Sequence, residues 1–272
     1  MDLHTVVEVV SPAGAGAWQP GDAWLAGGTA LFAEPRPTVR RLLDLAAAGW
    51  TPVIADSRGL EIAATCTVAE VSRFAGGPGF TAFHDLATTC CHAFLASFKI
   101  WNTATVGGNL CAALPAGPMI ALTAALDGEC LILGPGSERR MAVADFVTGD
   151  GVTALRAGEL LRSVTLPARS LTGRTAYRQQ SLFTHGRSAV LLIGRLGSAG
   201  AAGGEFVLTV TAATVRPYQL RFAWLPDATT LRESLAAAIP DDAWTEDVHG
   251  DPRWRRHLTF RYAREILEEL TA

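Results

Sequence analysis

Two glycine pairs, at positions 27–28 and 107–108, constrain this 272-residue chain more than any other feature. The first lies in WLAGGTAL (24–31) and the second in TVGGNL (105–110), each beside a threonine. A glycine pair permits positive φ and lets backbone N–H groups approach a ligand with no Cβ in the way. One pair alone usually marks only a turn. The two together predict a pair of loops that face one diphosphate from opposite sides.

Length and composition predict a globular protein in two parts. The chain is longer than one typical core, and we place the boundary at about residue 170, so that residues 1–170 and 171–272 form separate domains. The longest uncharged stretch, 103–126, is interrupted by glycine, asparagine and proline, so no membrane span is expected. The first twenty residues lack a basic region followed by a long apolar run. No signal peptide is therefore expected, and we place the protein in the cytoplasm.

Local signals in the N-terminal half place both glycine pairs at element boundaries. DAWLAGGTALF (22–32) predicts a short strand, a glycine turn and the first turn of a helix capped by Thr29, a position where anions bind. Thr67 and Glu70 have the spacing of a capping box. The run 84–100 has apolar residues at helical spacing and predicts one helix that leads to the second glycine pair. MIALTAAL (119–126) predicts a short buried helix.

The C-terminal half alternates strand patterns with a final helix. AYRQQS (176–181) and FVLTVTAAT (206–214) predict strands. SAVLLIGRL (188–196) is uniformly apolar, so its pattern fits a helix or an extended segment. Residues 254–270 have the apolar period and mixed charge of a helix.

The chain lacks the sequence motifs of several kinds of binding site and catalytic site. Neither glycine segment is a dinucleotide G-x-G-x-x-G or a P-loop. The five cysteines and six histidines show no metal-ligand spacing, so no metal site is expected and the cysteines are predicted to be buried. No G-x-S-x-G nucleophile elbow occurs, and we predict no catalytic side chain. A net charge of −3 makes nucleic acid an unexpected partner.

The sequence resembles the FAD-binding subunits or domains of molybdenum hydroxylases, the group of the xanthine dehydrogenase and carbon monoxide dehydrogenase medium subunits. LAGGTAL (25–31) is similar to the first FAD loop of that family, and LASFKIWNTATVGGNLCAALPAGP (95–118) to its second. AYRQQS, TVRPYQLR (214–221) and the closing segment 247–267 extend the resemblance over nearly the whole chain.

The resemblance implies an α/β FAD-binding domain of two subdomains, which hold the cofactor between them, followed by a small α+β C-terminal domain that covers the flavin. It also implies that Leu161 is an apolar wall near the isoalloxazine and that Arg178 is a cation near the reactive ring edge. The remaining cofactor-binding residues implied by the family are Leu25, Ala26, Gly27, Gly28, Thr29, Ala30, Thr105, Val106, Gly107, Gly108, Asn109 and Pro118.

The chemistry of a diphosphate suggests a role for each loop. Backbone N–H groups of residues 27–30 are expected on one side of the diphosphate and those of residues 105–109 on the other. The hydroxyls of Thr29 and Thr105 can add hydrogen bonds, and the Asn109 amide can brace the loop or reach the cofactor.

Three positions depart from the family pattern. Ala30 and Pro118 stand where the family frequently has aspartate, and Thr103 stands where an arginine is common. An aspartate at position 118 would be expected to contact the linker of the flavin. The substitution indicates either a subgroup that holds the linker in another way or a weakened site.

The resemblance implies an electron-transfer role within a complex. A molybdopterin-containing large subunit would oxidise the substrate, a small subunit with 2Fe–2S clusters would relay electrons, and the FAD of this chain would pass them to NAD or another acceptor. The chain has no cysteine pattern for an iron–sulfur cluster of its own. Two alternatives remain open at this stage: a scaffold subunit that has lost its flavin, and a stand-alone FAD oxidoreductase.

Overall fold

The computed structural model describes residues 3–11, 18–76, 79–198 and 204–272. Its N-terminal element is a small sheet of three parallel strands, β1 (Glu8–Val10), β2 (Asp22–Leu25) and β3 (Arg41–Asp44). Their spatial order is β1-β3-β2, so both β1 and β2 hydrogen-bond to β3. The first glycine pair follows β2 directly. The loop that carries it therefore leaves from the carboxyl edge of a parallel sheet, where ligands bind in open α/β folds.

The next seven strands are β4 (Val53–Asp56), β5 (Gly59–Ala63), β6 (Glu129–Gly134), β7 (Ser137–Ala142), β8 (Val147–Gly149), β9 (Val152–Thr153) and β10 (Leu160–Pro167). Five of them form a second, antiparallel sheet in the spatial order β4-β5-β10-β6-β7. The two short strands β8 and β9 pair only with each other.

Helices pack on this second sheet and deliver the second glycine pair. The predicted capping box is confirmed: the Thr67 hydroxyl accepts from the Glu70 amide at 3.2 Å, and the Glu70 carboxylate accepts from the Thr67 amide at 2.7 Å. The predicted short helix near 119–126 is also confirmed, and every residue of it is buried. The helices are α1 (Val68–Arg73), α2 (Thr81–Ala93), α3 (Phe98–Trp101), α4 (Val106–Ala112), α5 (Pro118–Ala125) and α6 (Val143–Phe146).

The single helix predicted over residues 84–100 is wrong, because the chain breaks between α2 and α3. At the break, the indole N–H of Trp101 donates to the carbonyl oxygen of Phe94 at 3.0 Å. This bond folds the chain back on itself. The apolar spacing alone gave no sign of the interruption.

The C-terminal half is one antiparallel sheet whose four strands follow each other in chain order, with two helices on one face. The ambiguous segment 188–196 is a strand in which all residues but the last are buried. Burial on both faces removes the alternation that would have marked it as extended. The elements are β11 (Arg174–Ser181), β12 (Ser188–Leu196), β13 (Phe206–Thr211), β14 (Tyr218–Phe222), α7 (Ala228–Ala238) and α8 (Pro252–Thr271).

The predicted fold class, α/β followed by a smaller sheet-and-helix unit, is confirmed by this architecture. The two parts share an apolar interface, because Leu191, Ile193 and Ala212 of the C-terminal sheet belong to the same buried core as α2 and α5. None of the helices in the described ranges combines the length and hydrophobicity needed to cross a membrane.

A buried carboxylate joins the two parts at the end of α5. Asp127, in the turn before β6, accepts hydrogen bonds from Arg221 and from Ser170, the latter at 2.7 Å. Arg195 also donates to it at 2.5 Å and to the Ala125 carbonyl oxygen at 3.1 Å. Burial by itself would raise the pKa of the Asp127 carboxyl, but these partners lower it below its usual value. The C-terminal sheet therefore binds the last turn of α5 through ion pairs and hydrogen bonds as well as through apolar contacts.

We expect Asp127→Asn to lower the free energy of unfolding by about 3–5 kcal/mol, because the substitution removes the nearer counter-charge of the buried Arg195 guanidinium and leaves only Glu205, at 3.7 Å. Chemical denaturation followed by circular dichroism measures this. Asp56→Asn is the matched control, since Asp56 pairs with Arg58 in an exposed turn, and it should change stability little. Equal stability of the two variants would contradict the role of Asp127 in holding the two parts together.

Candidate functional site

The two glycine loops meet through a close backbone contact. A Cβ atom on Gly27 would lie 1.7 Å from the carbonyl oxygen of Thr103, just before the second glycine pair. No side chain fits between them, so glycine is required for the first loop to rest on the second. The structure thus brings together two segments that are 80 positions apart in the sequence.

The first loop presents a run of free backbone amides. In the described part of the chain, the N–H groups of residues 27–31 donate no hydrogen bond. Gly28 has φ +71°, and a Cβ there would meet the Phe32 ring at 2.5 Å. Consecutive free amides beside a left-handed residue form a concave site for an anion.

The helix predicted to start at Thr29 is a single turn. The Phe32 amide donates to the Gly28 carbonyl oxygen at 2.9 Å, and no helix follows. Pro35 and Pro37 come next in the sequence and prevent continuation, because proline has no N–H for the helical ladder. The amides of the loop are free because N–H groups in the first turn of a helical segment have no intrahelical acceptor, whether or not the helix continues.

The second loop is built differently, because its amides already have partners. The Val106 amide donates to Cys66 O at 2.8 Å and the Gly107 amide to Ala64 O at 2.9 Å. The Thr105 hydroxyl accepts from the Gly108 amide at 2.9 Å and caps α4. The expectation that these N–H groups bind the diphosphate is therefore not supported by their geometry. This loop instead forms one wall of the site and positions the N-terminus of α4.

The two glycines of the second loop have separate tasks. A Cβ on Gly107 would lie 2.4 Å from the Ala64 Cβ, so this glycine permits α4 to pack on the turn after β5. A Cβ on Gly108 would contact only the Thr105 hydroxyl, at 2.9 Å, among atoms within 4 Å. Gly108 therefore keeps open the space between the loops.

That space is a cavity of about 400 Å³, within the size range of small-molecule sites. It lies between the small parallel sheet and the second sheet with its helices. Its lining includes these sequence-predicted residues: Ala26, Gly27, Gly28, Thr29, Ala30, Thr105, Gly107, Gly108, Asn109 and Leu161.

Four predicted residues do not line the cavity. Val106 is fully buried in the core, and Leu25 packs beneath the first loop, 3.2 Å from where a Gly28 Cβ would be. Pro118 is buried at the first position of α5. Arg178 pairs with Glu265 and Glu269 of α8, at 3.1 and 2.7 Å.

The departure at Pro118 is offset locally by Asn109. Its side-chain oxygen accepts a hydrogen bond from the Met119 amide at 3.0 Å, in the first turn of α5. The N-cap residue, Gly117, has no side chain that could do this. Asn109 therefore braces the loop, one of the two roles expected for it.

Sequence reasoning missed many of the residues that line the cavity. One of them is an exposed cation, Arg36, which follows the first loop in the sequence. The apolar side chains among the others suit a planar ring system. Lining residues not predicted from the sequence are Trp24, Leu31, Arg36, Leu45, Ala64, Phe94, Ala104, Cys111, Ala112, Leu114, Leu155 and Leu160. Most are ordinary hydrophobic residues without a motif.

Cys111 corrects the expectation that all five cysteines are buried. The other four are buried, whereas Cys111 is exposed on α4 and lines the cavity. In the described ranges, no group of three or more histidine, cysteine, aspartate or glutamate side chains is placed to hold a metal ion.

A buried ion pair holds the segment that supplies the apolar wall. Arg139 donates to both carboxylate oxygens of Glu159, at 2.9 and 2.7 Å, and the Arg156 amide donates at 2.8 Å. These hydrogen bonds, that of Arg139 above all, lower the pKa of the Glu159 carboxyl to about 2. The Glu159 carbonyl oxygen accepts from the Trp24 indole at 3.0 Å. Glu159 thus ties the cavity wall to the parallel sheet across the site.

The cavity fits a cofactor that carries a diphosphate and an aromatic ring. Free amides of the first loop and the Arg36 cation match two phosphate charges. Trp24, Leu160 and Leu161 offer apolar surface to a ring. The missing side chain of Gly108 leaves space between the two loops.

Comparison with known proteins agrees with this assignment. The model of the FAD binding domain in molybdopterin dehydrogenase matches residues 5–169. A sequence search of curated proteins found no match.

Similar solved structures cover nearly the whole chain. A chain of quinoline 2-oxidoreductase from Pseudomonas putida 86 has 20% identity and a TM-score of 0.77, over 99% of this chain and 98% of that one. Carbon monoxide dehydrogenase from Hydrogenophaga pseudoflava has 18% identity and a TM-score of 0.76, over 97% and 96%. Carbon monoxide dehydrogenase from Oligotropha carboxidovorans has 20% identity and a TM-score of 0.73, over 91% and 89%. At these identities, the likeness establishes the fold.

We expect Gly27→Ala to purify with much less FAD than the wild type, because a Cβ at this position overlaps the Thr103 carbonyl oxygen and forces the loops apart. Overpacking of this kind costs about 1–3 kcal/mol. Released FAD is measured by absorbance after heat denaturation. Gly149→Ala is the control, since its Cβ would meet Val152 at an ordinary 3.6 Å. If Gly27→Ala contained as much FAD as the wild type, the close contact between the two loops would not be required for FAD binding.

We expect Glu159→Gln to lower the free energy of unfolding by about 1–3 kcal/mol at neutral pH, because the hydrogen bonds from Arg139 lose their charged acceptor. The folded-state pKa of Glu159 is depressed, so its stabilisation is complete above the ordinary glutamate pKa and is lost as the pH falls toward about 2. Denaturation curves across this range should therefore converge for variant and wild type.

The control for this variant is Glu129→Gln, which removes a half-exposed partner of Arg140. It should change stability little at any pH. A stability difference for Glu159→Gln that stays constant from neutral to acidic pH would assign the loss to packing instead of charge.

Proposed function

Because the chain belongs to the family of FAD-binding domains in molybdopterin dehydrogenases, we propose that it is the flavin subunit of a heteromeric molybdenum hydroxylase. In this role it takes electrons from 2Fe–2S clusters of a small subunit and passes them to a final acceptor, NAD or another molecule. A large subunit with the molybdopterin centre oxidises the substrate. The observation that carries the proposal is the cavity between the two glycine loops, which combines free amides on the first loop with apolar side chains in its lining.

The similar solved structures support this kind of complex. One is a quinoline 2-oxidoreductase, and another is a carbon monoxide dehydrogenase that lacks the Mo-pyranopterin moiety of its molybdenum cofactor. The similarity extends past residue 169, where the family model ends, to the end of the C-terminal sheet and helices. The whole chain, and not the FAD-binding part alone, is therefore built like a subunit of such enzymes.

The residues of this chain bind and position the cofactor. FAD, when bound, supplies a redox centre that can exchange electrons singly or in pairs. The amides of residues 27–31 and the Arg36 guanidinium would hold its diphosphate. Leu160 and Leu161, fixed by the neighbouring Glu159 ion pair, would exclude water from its ring. These side chains set position and environment, and none acts as an acid or base.

The scaffold alternative no longer has its main supporting reason. It rested on the departures at Ala30 and Pro118. Pro118 does not line the cavity, and Ala30 leaves the backbone amide available, which is the group that an anion needs. The stand-alone oxidoreductase is less favoured, because this chain covers 98% of a chain from quinoline 2-oxidoreductase.

We expect the chain co-expressed with its large and small subunits to contain roughly one FAD per chain and to show flavin bleaching when substrate is added without oxygen. Stopped-flow absorbance measures the bleaching, and size-exclusion chromatography confirms assembly. A Gly27→Ala complex is the control: it should assemble but show no flavin signal.

Other outcomes of this experiment identify the alternatives. A complex that assembles without FAD, even when FAD is supplied, would replace the proposal with the scaffold. Substrate-dependent reduction of the isolated chain, without partners, would replace it with the stand-alone enzyme.

A further inference from the structure

A long basic groove runs between α7 and α8 on the outer face of the C-terminal sheet. It consists of two adjoining cavities of about 490 and 310 Å³, which share Arg232, His257 and Phe260. Ala228 and Ala236 of α7 contribute apolar surface. The opposite face of the sheet packs on α2 and α5, so this groove is separate from the cofactor cavity.

The spacing of residues on α8 makes the groove elongated. Its lining residues on this helix are at positions 253, 256, 257, 260, 261 and 264, which recur every three or four residues and so share one face. The eleven steps from 253 to 264 correspond to roughly 17 Å at 1.5 Å per residue. The groove is thus long and narrow, and it is open to solvent along its length.

The cations of the groove lack partners within the protein. In the described residues, no carboxylate lies within 4.0 Å of the guanidinium groups of Arg232, Arg253 or Arg256, all of which are exposed. The Arg232 and Arg256 guanidinium carbons lie 5.7 and 5.0 Å from the Phe260 ring centroid. These contacts hold both cations beside the aromatic ring without neutralising them.

The neighbouring turns of α8 show the contrast. Arg261 pairs with Glu265 at 2.8 Å, and Arg264 pairs with Glu268 at 3.7 Å, each one helical turn apart. The carboxylates of α8 are all in its C-terminal half. The N-terminal half of the same helix carries positive charge alone.

The position of these charges works against the helix itself. Arg253 and Arg256 lie in the first two turns of α8, where the helix dipole is positive and cations are destabilising. Asp251 caps the helix by accepting from the Arg253 and Trp254 amides. The arginine side chains add nothing to that cap, so helix stability does not account for them.

We propose that the groove binds a carboxylate-rich, amphipathic segment of a partner polypeptide. Two helices with apolar residues between them form the kind of groove that accepts an amphipathic helix. The apolar face of the segment would contact Ala228, Ala236 and Phe260, and its carboxylates would pair with the three free arginines. A groove of this length suits several charges in a row better than one compact phosphate group.

The test uses the full-length, FAD-loaded protein and a fluorescein-labelled peptide of about 18 residues, long enough to span the groove as a helix. Leucines at helical spacing form one face of the peptide, and glutamates fill the other. A second peptide has the same composition with the leucines scattered around the helix. Fluorescence anisotropy measures affinity, with inorganic polyphosphate as competitor.

We expect the wild type to bind the amphipathic peptide and R232E/R253E/R256E to bind it at least about tenfold more weakly, since three charge pairs become repulsive. R58E/R73E/R140E carries the same charge change on exposed arginines of the N-terminal half, and should bind as the wild type does. R232Q/R253Q/R256Q repeats the test with smaller changes in case the reversed charges disturb folding. FAD content should stay at the wild-type level throughout, which separates this proposal from the flavin assignment.

Two results would overturn the proposal. If both groove variants bind the amphipathic peptide as tightly as the wild type, the groove is not the binding surface. If the scattered peptide binds equally well and polyphosphate displaces both at lower concentration, the arginines recognise phosphate polyanions instead of a polypeptide segment.

Discussion

The close backbone contact between Gly27 and Thr103 is the constraint on which the cofactor site depends. It places a loop from a small parallel sheet directly on the approach to α4, and no other amino acid leaves room for this contact. The cavity lies alongside that contact, between the free amides of one loop and the wall formed by the other. Loss of the contact would leave two turns with no common ligand between them.

Charged groups hold the remaining surfaces in place around that contact. Asp127 fixes the last turn of α5 to Arg195 and Arg221 of the C-terminal sheet. Glu159 fixes the apolar wall to Arg139 and, through its carbonyl oxygen, to Trp24 of the parallel sheet. Both carboxylates lie in turns, where backbone geometry alone would leave the segment loosely defined. The site is therefore assembled from two sheets and their helices by a small number of polar contacts, and Asp127 attaches the C-terminal sheet to them.

Sequence patterns located the loops well and their internal chemistry less well. The capping box at Thr67 and the buried helix α5 follow from local spacing, and both are present. The break between α2 and α3 depends on an indole hydrogen bond from Trp101, which periodicity does not encode. The amides of the second loop were expected to face a ligand, but those of Val106 and Gly107 bond to residues 64–66, which are distant in the sequence, and those of Gly108 and Asn109 bond to Thr105.

The sequence by itself determined the family, the cofactor and the two glycine segments, because these depend on residue types at fixed short spacings. Tertiary structure decided which groups are free to bind. The amides of residues 27–31 are available because no carbonyl oxygen of the described chain accepts from them, and Arg36 and Leu160 reach the cavity from elements with no motif of their own. Which donors are already satisfied, and which side chains converge on one space, depends on long-range packing that local sequence does not specify.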